Sequence, residues 1–283
     1  MAPKPGVSII GPGRLGAALA LELSRAGYPI AELVSRDRPA SWRKASRLAR
    51  RLRSRAVSCT SGAIRGAVVW LCVPDREIPS VVGQLAPLVN WKGRAVFHSS
   101  GVLTSDELTL LRERGATVAS VHPMMTFVGR SAPSLQGIPF GVEGDAAAVH
   151  AAQRIVRDLG GEVFRVQKAR KAAYHVWGMF ASPLLLATLV TAEQAARLAG
   201  MSAASARRKM LAIVRQTVAN YAALGPPAAF SGPIVRGDVE TVRKHLAILK
   251  GNAEVYDVYS ALARAALRYL PVRNRAKLTK ALG

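Results

Sequence analysis

Cysteine is nearly absent from this chain, with only Cys59 and Cys72 in 283 residues, and acid is scarce, with 17 acidic residues against 40 basic ones. A disulfide-stapled scaffold is therefore excluded, and two reduced, buried thiols in a cytoplasmic protein are expected. The five histidines, His98, His122, His150, His175 and His245, are scattered, and none has a Cys, His or carboxylate at a ligand spacing. No metal site is expected. The N-terminus, Met1-Ala2-Pro3-Lys4-Pro5, runs straight into an apolar strand pattern, with no room for a charged segment, an apolar core and a cleavage site. No signal peptide is expected.

Half the residues are hydrophobic, which excludes a largely disordered chain. The formal charge of +23 comes from 10 lysines and 30 arginines, densest between Arg36 and Arg55, where nine basic residues face one acid, Asp37. That density invites a nucleic-acid partner. The same stretch nevertheless reads as an amphipathic helix, with Trp42, Ala45, Ala49 and Leu52 on one side and Arg43, Arg47 and Arg50 on another. Aromatic-basic interleaving is missing, so a solvated basic face is the expectation and nucleic acid is not.

The dominant local signal is Val7-Ser8-Ile9-Ile10 followed by Gly11-Pro12-Gly13-Arg14-Leu15-Gly16 and an apolar helix pattern. A strand, a GxGxxG turn and a helix in that order form a dinucleotide-binding fingerprint. Gly11 permits the tight turn, Gly13 lets backbone approach a pyrophosphate, and Gly16 lets helix and strand lie close. The residues reading the ribose should follow about 20 positions later, where Ile30 to Val34 ends in Ser35-Arg36. A small hydroxyl followed by Arg suits the 2'-phosphate of NADP, whereas Asp37, in a register shifted by two, would favour NAD. NADP(H) is the expected cofactor.

Strand and helix patterns then alternate through Ala67–Val73, Arg94–Phe97 and Ala116–Val121, which predicts a doubly wound α/β parallel sheet. Ligands bind beyond the carboxyl ends of such strands, which singles out Val73-Pro74-Asp75, His98-Ser99-Ser100-Gly101 and His122. With strand order 3-2-1-4 the two cysteines lie on the order of 14 Å apart, too far for a disulfide. After strand patterns at Ile138–Val142 and Glu162–Val166, everything from Lys168 onward reads as helix. The boundary of an N-terminal Rossmann domain, 1–167, and an all-helical domain, 168–283, is placed there. Ala172 to Ala192 carries no charge, taking His175 as neutral. Pro183 and the polar positions argue against a membrane span, and a buried helix or subunit interface is expected.

The ordered set GPGRLG, SRD, VPD, HSSG, HPMMTF, GIPFGVEG, KAAYH and SGPIVRGD resembles the two-domain Rossmann-like NADP oxidoreductases of largely unassigned function, in the wider 6-phosphogluconate and beta-hydroxyacid dehydrogenase-like superfamily. The resemblance implies a helical second domain that commonly forms a homodimer. It also implies that Lys171, at the position of a catalytic Lys in beta-hydroxyacid dehydrogenases, serves proton transfer at a cleft facing the nicotinamide, with His175 in place of their Asn. His122-Pro123-Met124 matches the HPM sequence of prephenate dehydrogenases, although HSSG stands where those enzymes carry a serine and lysine stretch.

An NADPH-dependent reductase of a small carbonyl or imine substrate, such as the 2-oxo acid ketopantoate, is thus expected. Lys171 or His122 would supply the proton, and Ser99, Ser100 or an Arg would orient the substrate. The alternatives are oxidation of a hydroxy acid or prephenate-like acid, and a non-catalytic nucleotide- or RNA-binding protein.

Overall fold

The computed structural model describes residues 3–129 and 133–283. Two compact units emerge, Met1–Met179 and Phe180–Gly283.

In the first unit, the apolar runs become eight strands: β1 (Val7–Ile10), β2 (Ile30–Ser35), β3 (Arg55–Ser58), β4 (Val68–Leu71), β5 (Ala95–His98), β6 (Thr117–Pro123), β7 (Pro139–Gly144) and β8 (Glu162–Arg165). They form one sheet in the order β3-β2-β1-β4-β5-β6-β7-β8. β1 and β4 are buried at every position, as parallel strands covered on both faces must be. The sheet departs from an all-parallel one at β7, which pairs antiparallel with β6, Ser120 facing Glu143 and His122 facing Gly141. No helix lies in the 124–138 link among its described residues, and an antiparallel pair needs no crossover helix. β8 returns parallel to β7.

Among the described residues, five α-helices accompany the sheet: α1 (Arg14–Arg25), α2 (Pro39–Leu52), α3 (Ile78–Leu85), α4 (Thr109–Arg112) and α5 (Ala146–Asp158). α1 and α5 share one core with Trp70, Phe97 and Phe140, while α3 and α4 bury Ile78, Val82 and Leu111 with Leu71 and Val96. α2 buries Ala45 and Ala49 and leaves its arginines in solvent. Trp42, expected on the apolar side, is 40% exposed. Cys59 and Cys72 follow β3 and β4 and are free.

A sixth helix, α6 (Lys171–Ala181), starts in the first unit. The compact unit thus runs beyond residue 167, because the head of α6 packs on the sheet through Lys171 and Tyr174.

The second unit comprises α7 (Pro183–Leu198), α8 (Ala203–Ala229), α9 (Pro233–Arg236), α10 (Val239–Leu249), α11 (Ala253–Tyr269) and α12 (Arg275–Leu282). Val242, Leu246, Ala263, Leu267, Leu278 and Leu282 make its core. Asp238 caps α10, accepting from the Thr241 N–H at 3.0 Å, a usual N-cap role. Gly225, with φ +73° and ψ 167°, interrupts α8 ahead of Pro226-Pro227. Lys168–Leu198 is long and apolar enough to cross a membrane by length and composition. Ser182, at φ −133° and ψ −79°, divides it into helices of 11 and 16 residues, about 16 and 24 Å long and each short of a bilayer core.

Candidate active site

Two groups of residues lie at the carboxyl ends of the first unit's strands. The first surrounds the β1–α1 turn. Gly11 has φ +84°, and a Cβ there would meet Val73 Cγ1 at 2.7 Å, so only glycine makes this turn. A Cβ on Gly16 would collide with the Gly11 carbonyl oxygen, which explains the helix's close seat on the strand. Gly13 is different: its Cβ would meet nothing but Gly11 O, at 3.9 Å. No protein atom demands glycine at position 13; a side chain would fill space left open to a ligand. Gly13 is also the N-cap of α1, whose first turn has neither a side-chain cap nor an acid. Its free N–H groups and positive dipole end suit an anion, so the turn fits the pyrophosphate of a dinucleotide.

A cavity of about 660 Å³ opens from this turn and is lined by Gly11, Gly13, Ser35, Arg36, Val73 and Pro74 among others. Arg36, half exposed, holds Glu77 loosely at 3.7 Å, a pair that contributes little and can yield to a phosphate. Asp37 also lines the cavity, but its carboxylate accepts the Thr60 hydroxyl at 3.1 Å. Ser35 is buried, with its hydroxyl 3.4 Å from the Arg36 carbonyl. Leu15 packs against the core, and Arg14 lines a neighbouring groove. Asp75 turns away from the cavity and accepts the Ser100 hydroxyl at 2.8 Å.

The second group joins the ends of β5 and β6 to α6. His98 Nδ1 accepts the Ser100 N–H at 3.1 Å, which leaves Nε2 to donate to Thr104 O at 2.9 Å. Both ring nitrogens are thus used in shaping the turn, and burial pushes its pKa down to about 4. Ser99 accepts the Trp70 indole N–H at 2.8 Å. The Ser100 hydroxyl serves Asp75 and also accepts the Leu103 N–H at 2.9 Å. Both serine side chains, expected to orient a substrate, therefore already have protein partners.

Lys171 is 1% exposed. Its Nζ donates to Ser100 O at 3.2 Å and to the Ser120 hydroxyl, tying β5, β6 and α6 together. Burial pulls its pKa down to about 8 against the opposing pull of Glu143 and Asp75. Glu143 is itself buried and accepts from the Ser105 N–H at 2.6 Å and hydroxyl at 2.8 Å.

Beside this frame, His122 Nδ1 lies 2.6 Å from the Tyr174 hydroxyl. Burial, then the charge of Lys171, lowers the His122 pKa to about 4, and burial raises that of Tyr174 to about 12. The ring is therefore neutral and the phenol protonated at neutral pH. Two glycines make room for the pair. A Cβ on Gly141 would meet the Tyr174 hydroxyl at 2.7 Å, and one on Gly101 would meet His175 Cδ2 at 2.6 Å and His122 Nε2 at 3.0 Å. Lys171, His122 and His175 are thus brought into one cluster. Sequence reasoning passed over Tyr174, Ser120 and Glu143, although a serine and a glutamate inside buried strands and a tyrosine one turn from Lys171 were available signals.

A model of the Rossmann-like domain family matches residues 2–123, and one of a domain of unknown function, DUF2520, matches residues 138–266. No curated protein matches the sequence. Among solved structures, protein TM1727 from Thermotoga maritima is 25% identical, with 92% of this chain and 97% of that one covered at a TM-score of 0.71. An imine reductase from Myxococcus stipitatus in complex with NADP+ is 17% identical, with coverage of 99% and 100% and a TM-score of 0.68. A reductive aminase from Aspergillus terreus in complex with NADPH and ethyl-5-oxohexanoate is 17% identical, with coverage of 98% and 99% and a TM-score of 0.67. The class is therefore a Rossmann-like domain followed by helices. Within it, the chain joins a match to the Rossmann-like domain to a match to DUF2520, the two models together spanning residues 2–266 apart from 124–137.

Proposed function

We propose that this protein is an NADPH-dependent oxidoreductase that reduces a small carbonyl or imine compound. The observation that carries this reading is the pairing, in one unit, of an anion-accepting glycine turn with a half-buried, neutral His122–Tyr174 pair at the neighbouring strand ends. The imine reductase and reductive aminase of the same fold, solved with NADP+ and NADPH, support the cofactor and the reaction class. Gly11, Gly13 and the start of α1 would hold the pyrophosphate, Ser35 and Arg36 the 2'-phosphate, and Val73 and Pro74 the adenosine side of the cavity.

The hydride is what NADPH supplies when bound; the residues above must supply a proton to the oxygen or nitrogen that becomes the alcohol or amine. His122 is the better donor than Lys171. With Tyr174 donating to Nδ1, Nε2 carries the ring proton and faces the gap left by Gly101 and shared with His175. As Nε2 gives its proton to the nascent alcohol or amine, Nδ1 takes that of the Tyr174 hydroxyl, and the phenolate left behind regains a proton from solvent. Lys171 spends two of its three donors on Ser100 and Ser120 and acts as a positioning residue whose charge also keeps His122 neutral. His122→Asn should lower turnover with a panel of ketones, 2-oxo acids and imines by about a hundredfold, the scale of a lost acid-base group, with NADPH affinity retained. Intact turnover in that variant with loss in Lys171→Met would return the proton to Lys171.

The helical unit works as a homodimer. Leu186 and Val190 of α7 and Ile213, Val218, Tyr221 and Leu224 of α8 are 45–69% exposed, large apolar side chains of the kind that obligate interfaces cover. Light scattering should report twice the chain mass without detergent.

A further inference from the structure

A second groove, of about 630 Å³, lies in the first unit between α1, α2 and the segment around Phe127. Five cations line it: Arg14 and Arg25 from α1, and Lys44, Arg47 and Arg51 from α2. Its lining contains no acidic residue among the described ones. Arg25 is paired with Glu22, whereas Arg14, Lys44, Arg47 and Arg51 form no ion pair among the described residues. Lys44, Arg47 and Arg51 are spaced i, i+3 and i+7, so like charges share one helix face and repel each other. Leu21, Leu48, Phe127 and Val128 supply an apolar side, Val128 being 70% exposed. The groove touches the cofactor cavity only at Pro12, Gly13 and Lys44. It then follows α1 to Arg25, about 16 Å from Arg14.

We infer that this groove is a second binding site, separate from the dinucleotide cavity, for a phosphorylated small molecule that carries an apolar group. Guanidinium groups converging from two helices match phosphate oxygens bidentately. The apolar side would otherwise remain hydrated, and it suits an alkyl or aryl portion of the same ligand. The volume is that of a small-molecule site. A polynucleotide track is disfavoured because Arg43 and Arg50, the outer cations of α2, are not part of the lining.

Calorimetry on the full chain saturated with NADP+ tests this, with hexyl diphosphate and inorganic pyrophosphate as the probes. Hexyl diphosphate should bind at least about tenfold more tightly than pyrophosphate, since its chain leaves water. Arg47→Glu/Arg51→Glu should weaken it by about a hundredfold or more, reversing two charge-assisted contacts. The NADPH dissociation constant should change less than about twofold, because neither residue lines the cofactor cavity. Arg43→Glu/Arg50→Glu, an equal change of charge outside the groove, should have little effect. If the first variant does not fold, Arg47→Ala/Arg51→Ala takes its place, with about a tenfold loss expected. Equal loss in both pairs, exclusion of the probe by NADP+, absence of binding, or binding of an oligothymidylate but not of hexyl diphosphate would each overturn the inference.

Discussion

The two compact units solve the burial problem differently. In the first, a central sheet is covered on both faces, and its largest side chains, Trp70, Trp91, Phe97 and Phe140, are almost completely buried. In the second, α10, α11 and α12 close a small core, while α7 and α8 hold large apolar side chains in solvent, Leu186 at 62% and Ile213 at 69%. A sheet unit with its own core can keep a polar site rigid, because neighbouring strands give the site's buried groups partners, as Ser100 and Ser120 do for Lys171. The helical unit leaves apolar faces that the homodimer proposed above would cover.

The sharpest way to break that contrast is Leu186→Asp with Ile213→Asp. Charges buried in a twofold interface are doubled by symmetry, so dimerisation should weaken by a thousandfold or more, about 4 kcal/mol. Light scattering should then read one chain mass, while NADPH binding by the sheet unit persists. A variant that stays dimeric would place the interface elsewhere.

Next in size is the loss of about a hundredfold in turnover for His122→Asn. Tyr174→Phe should share much of it, since the pair acts through one hydrogen bond. Steady-state kinetics at saturating NADPH separates this from a binding defect, which would raise KM instead.

The buried ammonium gives a smaller effect, read from stability. Lys171 has its pKa lowered to about 8, below its unfolded value of about 10.4. Between those values the unfolded chain binds more protons, so stability should rise as pH rises from about 8 to about 10 and carry the full penalty below 8. The gain is at most about 3 kcal/mol, and denaturant melts of Lys171→Met should lack it. An identical slope in the variant would show that Lys171 is not the titrating group.

Smallest is the cofactor preference. Arg36→Asp should shift the NADPH-to-NADH affinity ratio by about tenfold or more towards NADH, because a carboxylate repels the 2'-phosphate. Equal affinity of the parent protein for both cofactors would remove Arg36 from that role.

Residues close in sequence announced most of the architecture. The positive φ of Gly11 and the approach of Gly16 to the Gly11 carbonyl are local, so their spacing specified the turn even though Cys72 and Val73 also crowd it, and the alternation of apolar runs specified a layered sheet followed by helices. Asp238 capped its helix for the same local reason. What stayed hidden depends on contacts between distant segments. Whether β7 ran parallel or antiparallel turned on its pairing with β6. Whether Lys171 faced solvent or Ser100 and Ser120 turned on how α6 met the sheet, and Tyr174 gained meaning only when Gly141, on a neighbouring strand, left it room beside His122. Periodicity records which side of an element is apolar; it does not record which polar atoms that side will meet. Backbone conformation and patterning were thus set by the sequence itself, while the partners of buried hydroxyls, imidazoles and the ammonium were decided only by tertiary structure, because a hydrogen bond depends on ångström-scale placement of groups that lie far apart along the chain.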